Sequence, residues 1–448
     1  MNDFFDRVST LLTKEDFEIF KNEYNNPAYR GVRVNTLKCS VDKFLALMED
    51  IKAEDVTPFC KEGFYVPAES DFSGNHPLHH AGAVYFQEPS AMSAASVLDV
   101  QKGDVVLDLC AAPGGKSTQL ASALGGTGLL WSNEIVKSRA NILLGNIERC
   151  GVSNAVVSSA DPDMLCKALE GVFDKVLVDA PCSGEGMFRK DKDAYSEWTP
   201  EHSDACSVRQ LKILESAKNA LRAGGVLVYS TCTFSQAENE NVINEFLRQN
   251  PDFELLDCGE KFGRRTIDGK ACRIYPMDGG EGHFAAKLRK KEDDFAAGVR
   301  ASHETLPTDD RKIPAVVKEF FADTFIDTDF CKRLLVHGDN VFILPEYCPE
   351  LKGTGVIRAG VFAGTVKKNP FEPHHALFMS ADKNNLKRVV DLTLDDARVK
   401  KFLHGEEIPV EENIKGYTAV SVEGIITGFG KVSSGMLKNK YPKGLRTL

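Results

Sequence analysis

The sequence predicts an α/β protein with a parallel sheet and crossover helices. From about residue 96 to about residue 290, short apolar runs alternate with segments whose apolar residues recur at helical spacing. Several of these apolar runs end directly in a polar or glycine-rich turn, as buried strands do in such a sheet. The chain has 448 residues, which is too long for one ordinary domain and indicates two to four.

The predicted elements follow the chain in order. An alternating segment predicts a strand over 32–37 in the N-terminal region. In the α/β region, strands are predicted over 105–109, 129–134, 155–161, 175–179 and 226–230. One helix is predicted to end at Gly151, and its apolar face carries Ala140, Leu143, Leu144 and Ile147. A second is predicted to end at Gly224, and its apolar face carries Leu211, Leu214, Ala217 and Leu221.

Composition excludes several classes of protein. Hydrophobic residues make up 42% of the chain and charged residues 27%, which is typical of a globular protein. The net charge of −10 excludes nucleic-acid binding through bulk positive charge, although local basic patches can still bind it. No apolar run is long enough to span a membrane and no signal peptide is recognised, so a cytoplasmic protein without membrane contact is expected. The twelve cysteines include no C-x-x-C pair, so neither a metal site nor a disulfide scaffold is expected.

A loop of small residues follows the predicted strand over 105–109 and precedes a helix. Small residues allow the backbone to approach a ligand closely, and the helix N-terminus offers amides. The loop lacks the triphosphate-binding pattern, because Cys110 stands where the first glycine is required, and it lacks the dinucleotide pattern. Glu134 closes the next strand, where an acid can accept both ribose hydroxyls. Asp161 closes the third strand, where it could meet an adenine amino group. Together these features predict a nucleoside site.

Two cysteines follow the fourth and fifth predicted strands. Cys182 lies in a turn just after Asp179, and Cys232 lies just after the strand over 226–230. Adjacent parallel strands would bring both thiols to the edge that carries the nucleoside loop. Ser235 and Glu238 have the spacing of a capping box, which predicts that Cys232 precedes a helix N-terminus where the dipole favours thiolate.

A thiolate beside a nucleoside cofactor suits one kind of chemistry. Carbon-5 of cytosine is a poor nucleophile, but addition of a thiolate to carbon-6 produces an enamine that attacks an activated methyl group. An acid near ring nitrogen-3 stabilises the adduct, and a second base must remove the carbon-5 proton.

Three segments in a fixed order carry a family resemblance. They read DLCAAPGGKST at 108–118, DAPCSGEG at 179–186 and STCT at 230–233. With these segments the chain resembles the Nop/Sun family of S-adenosylmethionine-dependent RNA 5-methylcytosine methyltransferases, and especially its bacterial RsmF (YebU)-like branch, which acts on 16S ribosomal RNA. Supporting segments lie at 33–38, 87–92, 280–284, 428–431 and 437–446, so the resemblance covers nearly the whole chain.

The resemblance implies roles for individual residues. Cys232 is the implied nucleophile, Cys182 assists release of the product, and Asp179 borders both the reacting base and the cofactor. The residues implied to bind or border S-adenosylmethionine are Cys110, Ala111, Ala112, Pro113, Gly114, Gly115, Lys116, Glu134, Asp161 and Asp179.

The resemblance also implies a domain organisation. A Rossmann-like methyltransferase domain at 96–290 would be flanked by a ferredoxin-like RNA-binding domain at 1–95. A linker at 291–312, a small module at 313–382 and a PUA-like RNA-binding domain at 383–448 would follow. The expected partner is RNA, either 16S rRNA or the small ribosomal subunit, bound by a monomer. Phosphate contacts are predicted from Lys287, Arg289, Lys290 and the tail residues Lys431, Lys438, Lys440, Lys443 and Arg446.

Other functions stay open at this stage. A transfer RNA substrate within the same family is not excluded by any residue. Methylation of an exocyclic amino group is less favoured, because such enzymes carry an Asn/Asp-Pro-Pro-aromatic turn where this chain has Asp-Ala-Pro-Cys. An rRNA-binding assembly factor with little catalysis is the alternative from another class.

Overall fold

The computed structural model describes residues 2–191, 195, 198–259, 262–292, 312–366 and 370–447, and its N-terminal region is a small α+β unit. The elements of this unit are α1 (Asn2–Ser9), α2 (Lys14–Tyr24), β1 (Gly31–Val34), α3 (Val41–Leu47), β2 (Gly63–Tyr65), α4 (Pro77–His80), β3 (Val84–Phe86) and α5 (Ser93–Leu98). The strands form an antiparallel sheet in the order β2-β1-β3. A ferredoxin-like β-α-β-β-α-β unit has four strands, one more than the described residues form here.

Strand β1 is shorter than the predicted strand over 32–37, because the chain turns at Asn35. The amides of Lys38 and Cys39 both donate to the Asn35 carbonyl. The Asn35 side-chain amide donates to the carbonyls of Gly82 and Cys150, and Cys150 belongs to the central region. The turn therefore joins the N-terminal unit to the rest of the chain.

The central region is built on a mostly parallel sheet. Its elements are β4 (Val105–Asp108), α6 (Gly115–Leu124), β5 (Leu129–Asn133), α7 (Lys137–Arg149), β6 (Ala155–Ser158), α8 (Pro162–Ala168), β7 (Phe173–Asp179), α9 (Pro200–Ala220), β8 (Leu221–Thr231), α10 (Glu240–Gln249), β9 (Phe253–Leu256), β10 (Arg264–Thr266), β11 (Ala271–Ile274) and β12 (His283–Lys290). The strands are ordered β10-β11-β12-β8-β7-β4-β5-β6, with β9 paired to β12. Strands β4 to β8 run parallel, which confirms the predicted α/β class.

Helices cover both faces of the central sheet. One apolar cluster packs α5, α6 and α7 on one face, through residues such as Leu98, Leu120 and Leu143. A second cluster packs α8, α9 and α10 on the other face. When helices cover both faces of a parallel sheet, the ends of its strands remain accessible. Ligands of such sheets bind at the carboxyl ends of the strands.

Two predicted boundaries were wrong. The third strand ends at Ser158, and Asp161 is instead the N-cap of α8. Helix α9 ends at Ala220 and not at Gly224, because Leu221 already pairs with Phe173 of β7. Pairing of Leu221 with a buried strand therefore ends the helix before the two glycines at 224 and 225.

The C-terminal region forms two further sheets. Its elements are α11 (Ala315–Thr324), β13 (Leu334–His337), β14 (Asn340–Ile343), β15 (Val356–Ala359), β16 (Val361–Val366), β17 (Phe371–Pro373), α12 (His375–Met379), β18 (Val389–Leu392), α13 (Ala397–His404), β19 (Ile408–Pro409), β20 (Gly416–Val422), β21 (Ile425–Ser433) and β22 (Met436–Asn439). The sheets are ordered β13-β14-β16-β17 and β18-β20-β21-β22-β19. Strand β15 pairs with β6 and so extends the central sheet. Of the linker predicted over 291–312, residues 293–311 lie outside the described residues.

The C-terminal region packs against the N-terminal unit. The Lys38 ammonium donates to the carbonyls of Met379 and Ile426, and His80 Nδ1 lies 2.8 Å from the Tyr441 hydroxyl oxygen. Within the described ranges, no helix has both the length and the apolar character needed to cross a membrane.

Candidate active site

The carboxyl ends of β4, β5, β7 and β8 meet at one edge of the central sheet. Asp108 closes β4 beside Leu177 of β7, and Asp179 closes β7 beside Ser230 of β8. The loops that follow these strands carry the small-residue segment and both predicted cysteines. The topology therefore brings the cofactor-type and nucleophile-type residues into one site, as the sequence predicts.

Side chains of α7 donate hydrogen bonds to the loop between β4 and α6. The Asn146 side-chain amide donates to the Pro113 carbonyl over 2.9 Å, and Arg139 donates to the Ala112 carbonyl over 3.1 Å. Gly114 has a φ of 116°, and a Cβ there would lie 3.2 Å from a Leu143 methyl carbon. The positive φ favours glycine at this position, and a Cβ would fit only if the Leu143 side chain shifted slightly.

Acidic side chains converge on this loop. Burial, followed by the charges of Asp108, Asp179 and Glu134, raises the pKa of the Cys110 thiol well above its usual value. Burial also raises the pKa of Asp108 to about 7, and its Oδ1 has no hydrogen-bond partner among the described residues. S-adenosylmethionine carries a sulfonium and an ammonium, so a small-residue cradle surrounded by carboxylates fits this cofactor in shape and in charge.

Glu134 and Asp161 have different surroundings. Glu134 is buried after β5, where its Oε1 accepts the Val136 amide proton and its Oε2 lies 3.2 Å from an Arg139 nitrogen. Asp161 is exposed, and its Oδ1 accepts from the amides of Asp163 and Met164 as the α8 cap. Asp161 therefore caps α8, and its predicted contact with adenine stays a prediction.

Lys116 and Asp179 form a partly buried ion pair at the centre of the site. Lys116 Nζ lies 2.8 Å from Asp179 Oδ2, and the Ser230 hydroxyl donates to Asp179 Oδ1 over 2.8 Å. Burial alone would raise the pKa of Asp179, but Lys116, His283 and Ser230 more than offset it and the pKa is lowered. Burial alone would likewise lower the pKa of Lys116, but Asp179 raises it. The carboxylate and the ammonium are therefore both charged at neutral pH.

The two predicted cysteines lie in contact. Cys182 Sγ is 3.2 Å from Cys232 Sγ, and both residues are partly exposed. The hydrogen bond with Cys232, followed by burial, raises the pKa of Cys182 well above its usual value. Cys182 is therefore a thiol whose proton can be directed at the Cys232 sulfur.

The capping box predicted from Ser235 and Glu238 was wrong. Helix α10 begins at Glu240, several residues after Cys232, so the helix dipole does not act on this thiol. The Glu238 carboxylate accepts from the amide and the hydroxyl of Ser183, which follows Cys182 in the chain. A pattern that is local in sequence therefore makes a contact between two distant loops.

His283 and Ser230 were missed by the sequence reasoning. His283 is 1% exposed at the start of β12, and its Nε2 lies 3.7 Å from Asp179 Oδ1. Neither ring nitrogen has a hydrogen-bond partner among the described residues, and burial lowers the pKa of the imidazole to about 4. The segment 280–284 belongs to the resemblance, but nothing in it indicates that this side chain faces Asp179.

The three cations predicted to contact phosphate at the end of β12 lie away from the site, and that prediction stays a prediction. Strand β12 runs antiparallel to β8, so Lys287, Arg289 and Lys290 lead away from the site that His283 borders. Lys290 donates to the carbonyls of Lys218 and Leu221, and Arg289 donates to Glu254. Lys290 and Arg289 therefore contact neighbouring elements of the fold.

Four family models match successive parts of the chain. The model of 16S rRNA methyltransferase RsmB/F matches residues 95–289, and the N-terminal domain of 16S rRNA methyltransferase RsmF matches residues 1–89. The first C-terminal domain of RsmF rRNA methyltransferase matches residues 319–380, and the methyltransferase RsmF PUA domain matches residues 389–447.

Whole-chain relatives and solved structures agree with these matches. The chain is 34% identical to ribosomal RNA small subunit methyltransferase F of Vibrio vulnificus, over 99% of this chain and 96% of that protein. It is also 34% identical to the protein of the same name from Aeromonas salmonicida, over 94% and 91%. A methyltransferase homologue from Pyrococcus horikoshii is similar in structure, with a TM-score of 0.54, 31% identity and coverage of 64% of this chain and 93% of that chain. NSun6 from Pyrococcus horikoshii with SFG gives a TM-score of 0.56, 25% identity and coverage of 65% and 98%.

Proposed function

Because the chain belongs to the family of ribosomal RNA small subunit methyltransferase F, we propose that it methylates carbon-5 of a cytosine in 16S rRNA through a covalent adduct with Cys232. The observation that carries this proposal is the contact between Cys182 and Cys232, 3.2 Å apart beside the Lys116–Asp179 pair. Two adjacent thiols suit a reaction that needs a nucleophile first and a proton acceptor later.

Cys232 acts first. Its thiolate adds to carbon-6, so that a carbon–sulfur bond forms and the electrons of the 5,6 double bond make carbon-5 nucleophilic. The negative charge that develops at ring nitrogen-3 is stabilised by the Lys116 ammonium, which the Asp179 carboxylate holds in place over 2.8 Å. Asp179 is itself oriented by Ser230.

S-adenosylmethionine, when bound, supplies the methyl group that carbon-5 receives. The residues that would hold it are the loop 110–116, with Glu134 on the ribose hydroxyls and Asp161 toward the adenine. The Ala111 amide donates to the Asn133 carbonyl over 2.8 Å, which fixes the loop against β5 next to Glu134. The acids around the loop match the positive charge of the cofactor.

Cys182 acts last. Its pKa is raised chiefly by the hydrogen bond and charge of Cys232 together with burial. Once Cys232 is bonded to carbon-6 it is no longer an anion, so that cause disappears and Cys182 ionises more readily. The Cys182 thiolate then takes the carbon-5 proton, the 5,6 double bond re-forms, and the carbon–sulfur bond breaks to return Cys232 as thiolate.

The target base must reach these thiols outside a duplex, because stacking hides carbon-6. The substrate is therefore a single-stranded or flipped-out cytosine.

The test uses RNA that carries 5-fluorocytosine, in which fluorine replaces the proton that must leave. We expect the wild-type protein to form an adduct that survives denaturing electrophoresis, and Cys232→Ser to form none. Cys348→Ser, which changes another partly exposed thiol outside the site, serves as the matched control and retains the adduct. An adduct that persists in Cys232→Ser would contradict the assignment of the nucleophile.

The substrate is tested separately by bisulfite sequencing of rRNA from cells that lack the protein. We expect one or more 5-methylcytosines of 16S rRNA to disappear. Loss of the modification from transfer RNA instead would contradict the proposed substrate while leaving the chemistry intact.

A further inference from the structure

A buried carboxylate joins the two cysteine loops. Glu238 is fully buried, and each of its oxygens accepts two hydrogen bonds. Oε2 accepts from the Ser183 amide and from Gln210 Nε2, each over 2.9 Å. Oε1 accepts from the hydroxyls of Ser183 and Ser203. Every donor comes from outside the loop that carries Glu238.

These contacts hold Cys182 on both sides. Ser183 follows Cys182 and is bound directly by Glu238. Pro181 precedes Cys182, and its carbonyl accepts from Gln210 Nε2 over 3.1 Å. Gln210 is fully buried on α9 and donates to Glu238 with the same nitrogen. The residue before Cys182 and the residue after it are therefore fixed to one carboxylate.

Further hydrogen bonds, which do not involve Glu238, join the same two loops. Glu185, which follows Cys182, accepts the Phe234 amide proton over 3.0 Å, and the Gly186 amide donates to the Cys232 carbonyl over 2.8 Å. The Ser183 and Thr233 hydroxyl oxygens lie 2.9 Å apart. We call this set of contacts between the two loops the interloop network. It fixes the distance between the two thiols at the level of the backbone.

Stability of the fold alone does not favour this arrangement. Among the described residues no lysine, arginine or histidine forms an ion pair with Glu238, so this buried polar group is satisfied by hydrogen bonds alone. Such a group costs desolvation, and apolar side chains of similar volume stabilise an interior at least as well.

We propose that Glu238 is a positioning residue that holds Cys182 against Cys232 and thereby sets the rate at which the methylated base is released. The inference rests on the proposed function, because release through Cys182 is part of it. Loss of Glu238 should displace the Cys182 loop while Cys232, the cofactor loop and Asp179 stay in place. Addition and methylation then continue, and the covalent adduct accumulates.

The experiment follows single turnovers of the full-length protein on a 16S rRNA transcript, with radioactive S-adenosylmethionine and a denaturing gel for the adduct. We expect Cys182→Ala to slow release by roughly 100-fold or more, as loss of a proton-transfer group does. Glu238→Ala should slow release by about 10-fold or more and leave methyl transfer within about threefold of wild type, because only the position of the thiol changes.

Glu238→Gln is the conservative variant and should restore release. Its carbonyl can accept from the Ser183 amide and Gln210, and its amino group can donate to the Ser183 and Ser203 hydroxyls, which rotate. Affinity for S-adenosylhomocysteine reports folding, since that site lies on other loops. Should Glu238→Ala not fold, Ser183→Ala removes one contact of the same carboxylate and should slow release in the same direction.

A double-mutant cycle separates positioning from general structural damage. If Glu238 acts through Cys182, adding Glu238→Ala to Cys182→Ala changes release by less than about twofold. A further tenfold loss in that background, or a parallel fall of adduct formation and methyl transfer in Glu238→Ala, would overturn the inference. Absence of adduct in Cys182→Ala itself would overturn the release step of the proposed function, and that arm does not involve Glu238.

Discussion

Two segments of this chain carry several basic residues and differ in the surroundings of those residues. The first lies on β12 and contains Arg289 and Lys290. In it Lys290 donates to two backbone carbonyls and Arg289 donates to Glu254. The second lies on β21 and β22, which we call the C-terminal hairpin. There Lys431 and Lys438 are exposed and occupy directly opposed positions of the two strands.

The difference indicates which cations are available to a ligand. Lys290 lies seven residues along β12 from His283, or roughly 23 Å at the rise of a strand. By contrast, like charges at opposed strand positions destabilise a hairpin. Lys431 offsets part of this cost, because its ammonium lies 5.2 Å from the centre of the Tyr417 ring. We expect that pair to contact an anionic partner such as an RNA backbone. A basic residue in the sequence therefore indicates an RNA contact only if its side chain is not already bonded to other groups of the protein.

The largest expected effect belongs to the C-terminal hairpin. Replacing Lys431 and Lys438 together by Gln should weaken RNA binding by about 10-fold or more at low salt, because two phosphate contacts are lost. The slope of log affinity against log salt should fall by roughly 1.4 to 1.8, or 0.7 to 0.9 for each contact. Binding titrations at several salt concentrations measure both quantities.

The matched control replaces two cations of β12. The double substitution Lys287→Gln and Arg289→Gln removes the same formal charge, and we expect affinity within about twofold of wild type with the salt slope unchanged. Equal losses in both double variants would mean that the two segments do not differ in the way their surroundings indicate.

The sequence predicted the architecture better than it predicted the partners of single residues. Parallel strands are apolar runs with polar ends, so the edge that brings Cys182 to Cys232 follows from topology. The Ser235–Glu238 pattern was misread because the donors to Glu238 come from α9 and from the loop after β7. His283 was missed for the same reason, since its neighbour Asp179 is about one hundred residues earlier. Hydrogen bonds between distant loops leave no periodic signal in the sequence.

An intermediate effect is expected at Lys290. Replacing it by Met removes the donor to the carbonyls of Lys218 and Leu221, and this should lower the free energy of unfolding by about 1–2 kcal/mol. RNA affinity should not change. Denaturant titration measures the first quantity and the binding assay the second.

The pH dependence gives Lys290 a second signature. Burial lowers the pKa of its ammonium below 10.5, so between the folded value and 10.5 the unfolded chain binds more protons. Wild-type stability relative to Lys290→Met should therefore rise with pH across that window. A difference that stays flat with pH would mean that the ammonium is not buried as described.

The smallest effect is expected at Arg289, and it tests the comparison most directly. Arg289 and Glu254 are opposed residues of β12 and β9, and both side chains are well exposed, so solvent and salt screen their ion pair. Arg289→Ala should change Tm by less than about 2 °C. Its hydrogen bond lowers the pKa of Glu254, so even this small stabilisation is present above pH 4.5 and disappears as the carboxylate is protonated below it. If Arg289→Ala leaves Tm unchanged but weakens RNA binding with a smaller salt slope, then an exposed ion pair on β12 opens to admit phosphate. Of the two β12 cations, only Lys290 would then be unavailable to RNA, because its partly buried ammonium donates to two backbone carbonyls.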